Sequence, residues 1–280
     1  MIREIKGDPN ALPDSLVGTS VGASNLALVA MGMEDELIPT WRGIDDPNPW
    51  NGIRGVAHPT PLGSDGGGFF TLDHPKALAG QMDRFGLTHE KLKTRFGCGI
   101  WLPERDLHIV PEWDHSGPIG HKLPIRMGPL ASSAIMVVFA GVEIEWEGVA
   151  SCAADGGHQH VKPPVPAWVE AGDFVWDLYC YPVEPGIAKH AYDKTNGRFE
   201  RLLIAADKAT HAPIIGDYRA SRLLADQGVH VACFAPRRDP GGMLDAAGAT
   251  ILWRLDVLGK ETAENPVFIS DNHPCFKRSA

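Results

Sequence analysis

Strand-like and helix-like stretches alternate through the last third of this chain, and that alternation limits the fold more than any other feature. Leu202–Ala206 reads as a buried strand, and Asp217–Gln227 as a helix ended by Gly228. Val229–Phe234 is a second strand, Gly242–Ala247 a short helix closed by Gly248, and Thr250–Leu255 a third strand. Pro266–Ser270 supplies a last short strand. Strands and helices at this pitch predict a small parallel α/β layer.

The rest of the chain is less regular. Pro9, Pro13, Pro39, Pro47, Pro49, Pro59 and Pro61, with many glycines, divide the first quarter into short pieces. The first convincing helical stretch runs from His74 to Phe96, with Asp73 as N-cap, Pro75 in the first turn and an interruption at Gly86. In the middle, Ile100–Leu102, Leu107–Val110 and the apolar Ala134–Phe139 read as strands. Val142–Glu147 alternates apolar and acidic residues, as a half-exposed strand does, and Phe174–Tyr181 follows as another strand. The expected class is mixed α/β, with an irregular, β-rich N-terminal and central part packed on a small C-terminal α/β layer. Residues 1–124 form the irregular region with its helical stretch near 74–96. Residues 125–200 form the β-rich segment and 201–280 the layer, either as separate units or as parts of one compact domain.

Composition narrows the function. An apolar fraction of 44% and a charged fraction of 22% are those of a globular protein, not a disordered one. With 26 Lys and Arg against 35 Asp and Glu, the net charge of −9 argues against nucleic acid as a main partner. The longest apolar run, Ala134–Val142, is about half of what a membrane helix needs. The acidic start, with Asp8 and Asp14, does not resemble a signal peptide, so a cytoplasmic location is expected, with no membrane partner. Five scattered cysteines show neither a zinc-ribbon spacing nor a disulfide framework. The expected partner is a small-molecule substrate, and a homo-oligomer is left open.

The densest reactive patch is Ser151–His160, where Cys152, Asp155, His158 and His160 surround the pair Gly156-Gly157. Two imidazoles two residues apart on a strand share a face, a geometry suited to a divalent metal. His115 and His121 are further candidate ligands from a neighbouring loop. The leading expectation is therefore a metal-dependent hydrolase acting on a small polar substrate. A divalent cation, zinc first, would be held by His158, His160 and either Cys152 or Asp155, with His115 or His121 completing the site. Asp155 and Glu145 would be catalytic, with Glu143 the alternative to Glu145 for orienting a ligand or taking a proton from bound water. His211, in a loop after the strand at 202–206, would join them from the carboxyl edge of the layer, with Asp207 beside it. Arg237-Arg238 stands at the equivalent edge of the next unit, where it would suit an anionic group.

A second constellation is Gly18-Thr19-Ser20-Val21-Gly22, which fits G-x-S-x-G. With its flanks Pro13–Val17 and Ala23–Leu28 it resembles the nucleophile elbow of patatin-like lipases. That resemblance implies a serine esterase pairing Ser20 with Asp155 of the downstream Asp155-Gly156-Gly157. The family's glycine-rich oxyanion loop has no counterpart in the seventeen residues before Gly18, which hold one glycine, Gly7. A third reading rests on Ala134–His160, which resembles the short β-turn repeats of PAAR spike-tip proteins. It implies a non-enzymatic zinc-stabilised structural protein with His115, Cys152, His158 and His160 as ligands. Neither the dinucleotide fingerprint nor the phosphate-binding loop occurs. Eight tryptophans suit an aromatic-lined cleft, though core packing accounts for most.

Overall fold

The computed structural model describes residues 12–44, 57–59, 70–72, 78–135, 141–159, 169–180, 182–183, 213–238 and 249–270. The chain divides into two compact units, one of residues 12–164 and one of 1–11 with 165–280. Helices and strands are mixed in both, so the α/β class is what is observed.

The first unit is organised around one strand. It begins with β1 (Ser15–Thr19), a sharp turn at Ser20, and helix α1 (Val21–Ala30). A single 3-10 turn leads into α2 (Leu37–Ile44). A separate antiparallel pair, β2 (Ala57–Pro59) and β3 (Phe70–Leu72), comes before α3 (Leu78–Phe85). The hub is β4 (Arg95–Leu102). On it β1 pairs in parallel, and β5 (Leu107–Ile109), β6 (Glu112–Asp114) and β9 (Val149–Asp155) pair antiparallel. The pair β7 (Gly117–Pro118) extends β6, and β8 (Val142–Trp146) extends β9, giving seven strands in one curled sheet.

The sequence of β4 explains its central place. Phe96, Cys98, Ile100 and Leu102 are fully buried at alternate positions, so one face is continuous core. Gly97 and Gly99 alternate with them and let neighbours approach the other face. A Cβ on Gly99 would lie 2.6 Å from Thr19 Oγ1. Trp113, also fully buried, stacks on Phe96 at 6.0 Å between ring centroids and donates its indole N–H to the Leu123 carbonyl at 2.8 Å. Helix α4 (Met127–Ser132) lies against that ring through Gly128, where a Cβ would stand 2.6 Å from the indole edge.

In the second unit, β10 (Phe174–Leu178) pairs in parallel with β11 (His230–Phe234), and β12 (Phe268–Ile269) joins β11 antiparallel. Helix α5 spans 213–226 and α6 is Ala249–Glu264. Asp177 of β10 is buried and accepts hydrogen bonds from the Tyr179 hydroxyl at 3.2 Å and from Ser221 of α5, fastening helix to strand. The buried Tyr179 phenol is pushed far above its ordinary pKa, first by desolvation and then by Asp177.

Several sequence expectations meet their elements here. The strands expected at Leu107–Val110, Val142–Glu147, Phe174–Tyr181 and Val229–Phe234 are present, trimmed at their ends. The helix expected at Asp217–Gln227 is present and closes at Gly228, whose φ is +86°. The helical stretch from His74 does break at Gly86, φ +62°, but Phe96 belongs to β4. Thr250–Leu255 is not a strand; it lies inside α6. Its buried residues continue at 258, 262 and 263, the apolar Leu258 and Ala263 with Thr262 between them, and that longer period is helical. Ala134 and Ile135 follow α4 outside any strand, and residues 136–140 lie outside the described residues, as do 202–206 and 242–247. The first quarter is more ordered than its prolines suggest, since β1 and α1 both fall within it.

Candidate active site

The residues of G-x-S-x-G form the turn between β1 and α1. Ser20 sits at the N-cap of α1 with φ 58° and ψ −133°, a conformation that side chains other than glycine rarely adopt. Such a backbone costs about 1–3 kcal/mol and persists where surrounding contacts enforce it. Two contacts do so here. The Ser20 N–H donates to Ser132 Oγ at 2.8 Å, and Ser132 in turn donates to the Gly99 carbonyl at 2.7 Å. The carbonyl of Ser20 already accepts from Ala23 and Ser24, which starts the helix. Gly18 makes the turn tight: a Cβ there would stand 2.8 Å from Ala23 N and from the Gly22 C and O atoms. Beside Gly22 there is nothing within 4 Å of a Cβ position, so space opens next to the serine.

Asp155 ends β9 on the other side of the hub strand. Thr19 is the register partner of Gly99, and Asp155 that of Ile100, so Ser20 and Asp155 stand at the same end of the sheet with β4 between them. No side chain intervenes at Gly99. A Cβ on Gly156 would lie 2.5 Å from the Gly99 carbonyl, so the Asp-Gly step is needed to bring β9 this close. The two side chains face each other closely enough for the Ser20 hydroxyl to act on the Asp155 carboxylate as a donor that lowers its pKa. Gly157 N–H donates to Asp155 Oδ1 at 2.7 Å, and Asp155 N–H donates to the Ala134 carbonyl at 2.8 Å. Asp155 is 2% exposed. Desolvation raises its pKa to about 6, against the lowering effects of Ser20 and Gly157.

Among the described residues the Cys/Asp/His patch does not converge. Along β9 the side chains alternate, so Cys152 is exposed on the face opposite buried Ser151 and Ala153. Its thiol is shifted up by partial burial and then by Glu104 and Glu143, which disfavours the thiolate a metal would need. His158 turns away in a 3-10 turn, with its ring 6.0 Å from that of Trp101 and its pKa lowered by burial. His121 is packed between Trp113 and Trp146, at 5.1 and 5.3 Å. Both its nitrogens are engaged, Nε2 with the Glu112 carbonyl at 2.9 Å and Nδ1 with the Leu123 N–H at 3.1 Å. His115 is exposed in the turn after β6. His160, His211 and Asp207 lie outside the described residues. Glu143 and Glu145 are on the exposed face of β8. Glu145 pairs with Ala150, so it stands about 16 Å along the strand from Asp155 at the usual rise. Arg238 is in an exposed ion pair with Glu261 of α6.

Ser132 is the site residue that sequence reasoning did not find. It has no local signature, being 112 residues from Ser20 and 33 from Gly99. A signal for Gly99 was present, because glycines alternating within a strand mark close backbone approach.

The model of one known family, the patatin-like phospholipases, matches residues 1–169 of the chain. The match covers more than half of the 280 residues and includes the elbow, the hub strand and the Asp-Gly-Gly turn. The chain belongs to this family. No curated protein matches it at a significant level.

Membership supports a hydrolase of the esterase type, and it corrects the expectation of a metal. Patatin-like enzymes work with a serine–aspartate pair and need no metal. Among the described residues no group of three His, Cys, Asp or Glu side chains is placed to hold one. A divalent cation bound by Cys152, His158, His160, His115 and His121 is therefore withdrawn, and with it the zinc-stabilised structural reading. No described helix is long and apolar enough to cross a membrane.

Proposed function

We propose that the chain is a serine esterase that hydrolyses a small lipid-type carboxylic ester, with Ser20 as nucleophile and Asp155 as general base. The observation that carries this reading is the placing of the strained elbow serine beside a carboxylate buried at the same sheet end. A carboxylate whose pKa is near 6 is a far better proton acceptor at neutral pH than an ordinary one, while remaining mostly ionised.

The scheme balances on these two residues. Ser20 Oγ attacks the ester carbonyl as its proton passes to Asp155. The tetrahedral intermediate collapses, the C–O bond to the alcohol breaks, and Asp155 returns the proton to the departing alkoxide. A water molecule then attacks the acyl-serine, giving its proton to Asp155, and the carboxylic acid leaves as Ser20 recovers that proton. The N–H of Ser20 is bound to Ser132, so the nearest main-chain donor for the oxyanion is Val21, one residue past the nucleophile. The N–H groups of Val21 and Gly22 precede the first bond of α1, which Ala23 makes to the Ser20 carbonyl, and the helix end favours negative charge there. Glu145 and His211 have no role in this scheme.

A cytoplasmic enzyme is consistent with the free thiols found among the described residues at Cys98, Cys152, Cys180 and Cys233. The test is hydrolysis of p-nitrophenyl butyrate by the wild type, Ser20→Ala and Asp155→Asn. The scheme expects turnover by the wild type and losses of about 10³-fold or more in either variant. Equal turnover by all three proteins would refute it.

A further inference from the structure

Both arms of the site rest on glycines, and one side chain fills the space that those glycines leave. Gly99 carries the carbonyl that anchors Ser132, and through Ser132 the elbow of Ser20. Gly156 follows Asp155 directly and lies against the Gly99 carbonyl. A Cβ on Gly99 would stand 3.3 Å from both Cε1 and Nε2 of His108, and a Cβ on Gly156 would stand 3.0 Å from the same Nε2. The imidazole edge therefore takes the place of two absent side chains, one on the hub strand and one just past β9. Thr19 Oγ1, at 2.6 Å from the Cβ position of Gly99, closes this slot next to the nucleophile.

Strand register gives the side from which the ring acts. His108 pairs with Trp101 and Thr19 with Gly99, so both lie on the face of β4 away from buried Phe96, Cys98 and Ile100. Asp155 pairs with Ile100 and belongs to the other face. His108 thus supports the site from behind the sheet, across the main chain from the carboxylate. Both of its ring nitrogens are closed to solvent, as those of a packed ring are. The acidity of Asp155 is set by burial first and then by Ser20 and Gly157, so the ring acts by its place and not by its charge.

We infer that His108 is a positioning residue of the Ser20–Asp155 pair, its ring fixing how Gly99 and Gly156 stand against each other and, through them, the serine and the carboxylate. The inference rests on the esterase reading and adds a residue to it. Without the ring, two bare Cα positions face an unfilled slot, and the Asp155-Gly156 step can shift against β4. A shift of about 1 Å between reacting groups costs on the order of 10²-fold in rate. Loss of packing alone would lower stability and leave the rate of the folded protein as it is.

The experiment measures kcat and KM for p-nitrophenyl butyrate, and the rate of labelling by an alkyl fluorophosphonate, each below the unfolding temperature of the protein used. The proteins are the wild type, His108→Ala, His108→Gln and His121→Gln. His121 lies between Trp113 and Trp146, so its variant controls for the loss of a packed ring elsewhere. His108→Ala should lose about 10²-fold in kcat, keep KM within about twofold, and label more slowly by the same factor as kcat. His108→Gln refills part of the slot and should recover about tenfold of that loss. Should His108→Ala fail to fold, the comparison of His108→Gln with His121→Gln carries the test. In the His108 variants kcat/KM should still rise with pH through about 6, because Asp155 remains the base. Full kcat in the folded His108 variants, or an equal loss in His121→Gln, overturns the positioning role and leaves the esterase standing. A rise that moves or disappears in His108→Gln makes His108 itself the titrating group and also overturns it. Absence of both hydrolysis and labelling in the wild type overturns the esterase reading, and this inference with it.

Discussion

Replacing Ser132 by alanine tests whether the elbow is held by the contact described above. Ser132 is fully buried and makes two hydrogen bonds, accepting from Ser20 N–H at 2.8 Å and donating to the Gly99 carbonyl at 2.7 Å. Its removal leaves a buried acceptor without a partner, at about 1–3 kcal/mol, and a partly buried donor, which water reaches and which costs about 1 kcal/mol. The expected loss of folding stability is therefore about 2–4 kcal/mol. The same bond helps to hold Ser20 at φ 58°, so the hydroxyl should also drift from its place beside Asp155. Misplacement of a reacting group by about 1 Å costs on the order of 10²-fold in rate. Urea unfolding and butyrate hydrolysis measure the two effects. Ser133→Ala is the control: Ser133 is 7% exposed and its Oγ has no partner among the described residues. Deleting that hydroxyl should leave stability unchanged or slightly raised. If both variants lose the same small amount and keep full rate, the Ser132 bridge does not hold the elbow.

Other perturbations follow from the same geometry. The buried Asp155 keeps its proton up to about pH 6, whereas in the unfolded chain it releases it near 3.8. Between those values the folded state holds more protons, so this group's contribution is largest below pH 3.8 and falls by about 3 kcal/mol as pH rises through 6. Asp155→Asn should then be more stable than the wild type at pH 7 yet inactive, and wild-type kcat/KM should rise with pH through about 6. Gly18→Ala, whose Cβ would meet backbone at 2.8 Å, should cost about 1–3 kcal/mol, while Gly22→Ala, with open space around it, should cost nothing measurable. Exhaustive dialysis against EDTA should leave ester hydrolysis unchanged. A loss of activity that zinc restores would contradict the two-residue scheme.

The two short motifs of the candidate site were legible in the sequence, because an elbow and an Asp-Gly-Gly turn demand particular residues at fixed spacing. Their relative weight against the histidines was not. Cys152, Asp155 and His158 are crowded in sequence, but strand alternation and the turn after Asp155 send them to different faces. His121 reads as a ligand candidate and is instead a packed ring between two tryptophans, a role that only tertiary contacts define. The half-exposed strand Val142–Trp146 was readable from its alternation, since one of its faces is core and the other is solvent. Helix α6 was misread because Thr250 and Ile251 favour a strand locally, while the burial that decides the matter lies a turn or more further along. Ser132 was invisible, because its contacts join parts of the chain that only the closed sheet brings together.

Peptide mapping after reaction with an alkyl fluorophosphonate tests the central claim most directly. The account predicts one adduct per chain, on Ser20, absent from Ser20→Ala and suppressed in Asp155→Asn. An unlabelled wild-type protein that is folded, or an adduct on any other residue, would contradict it.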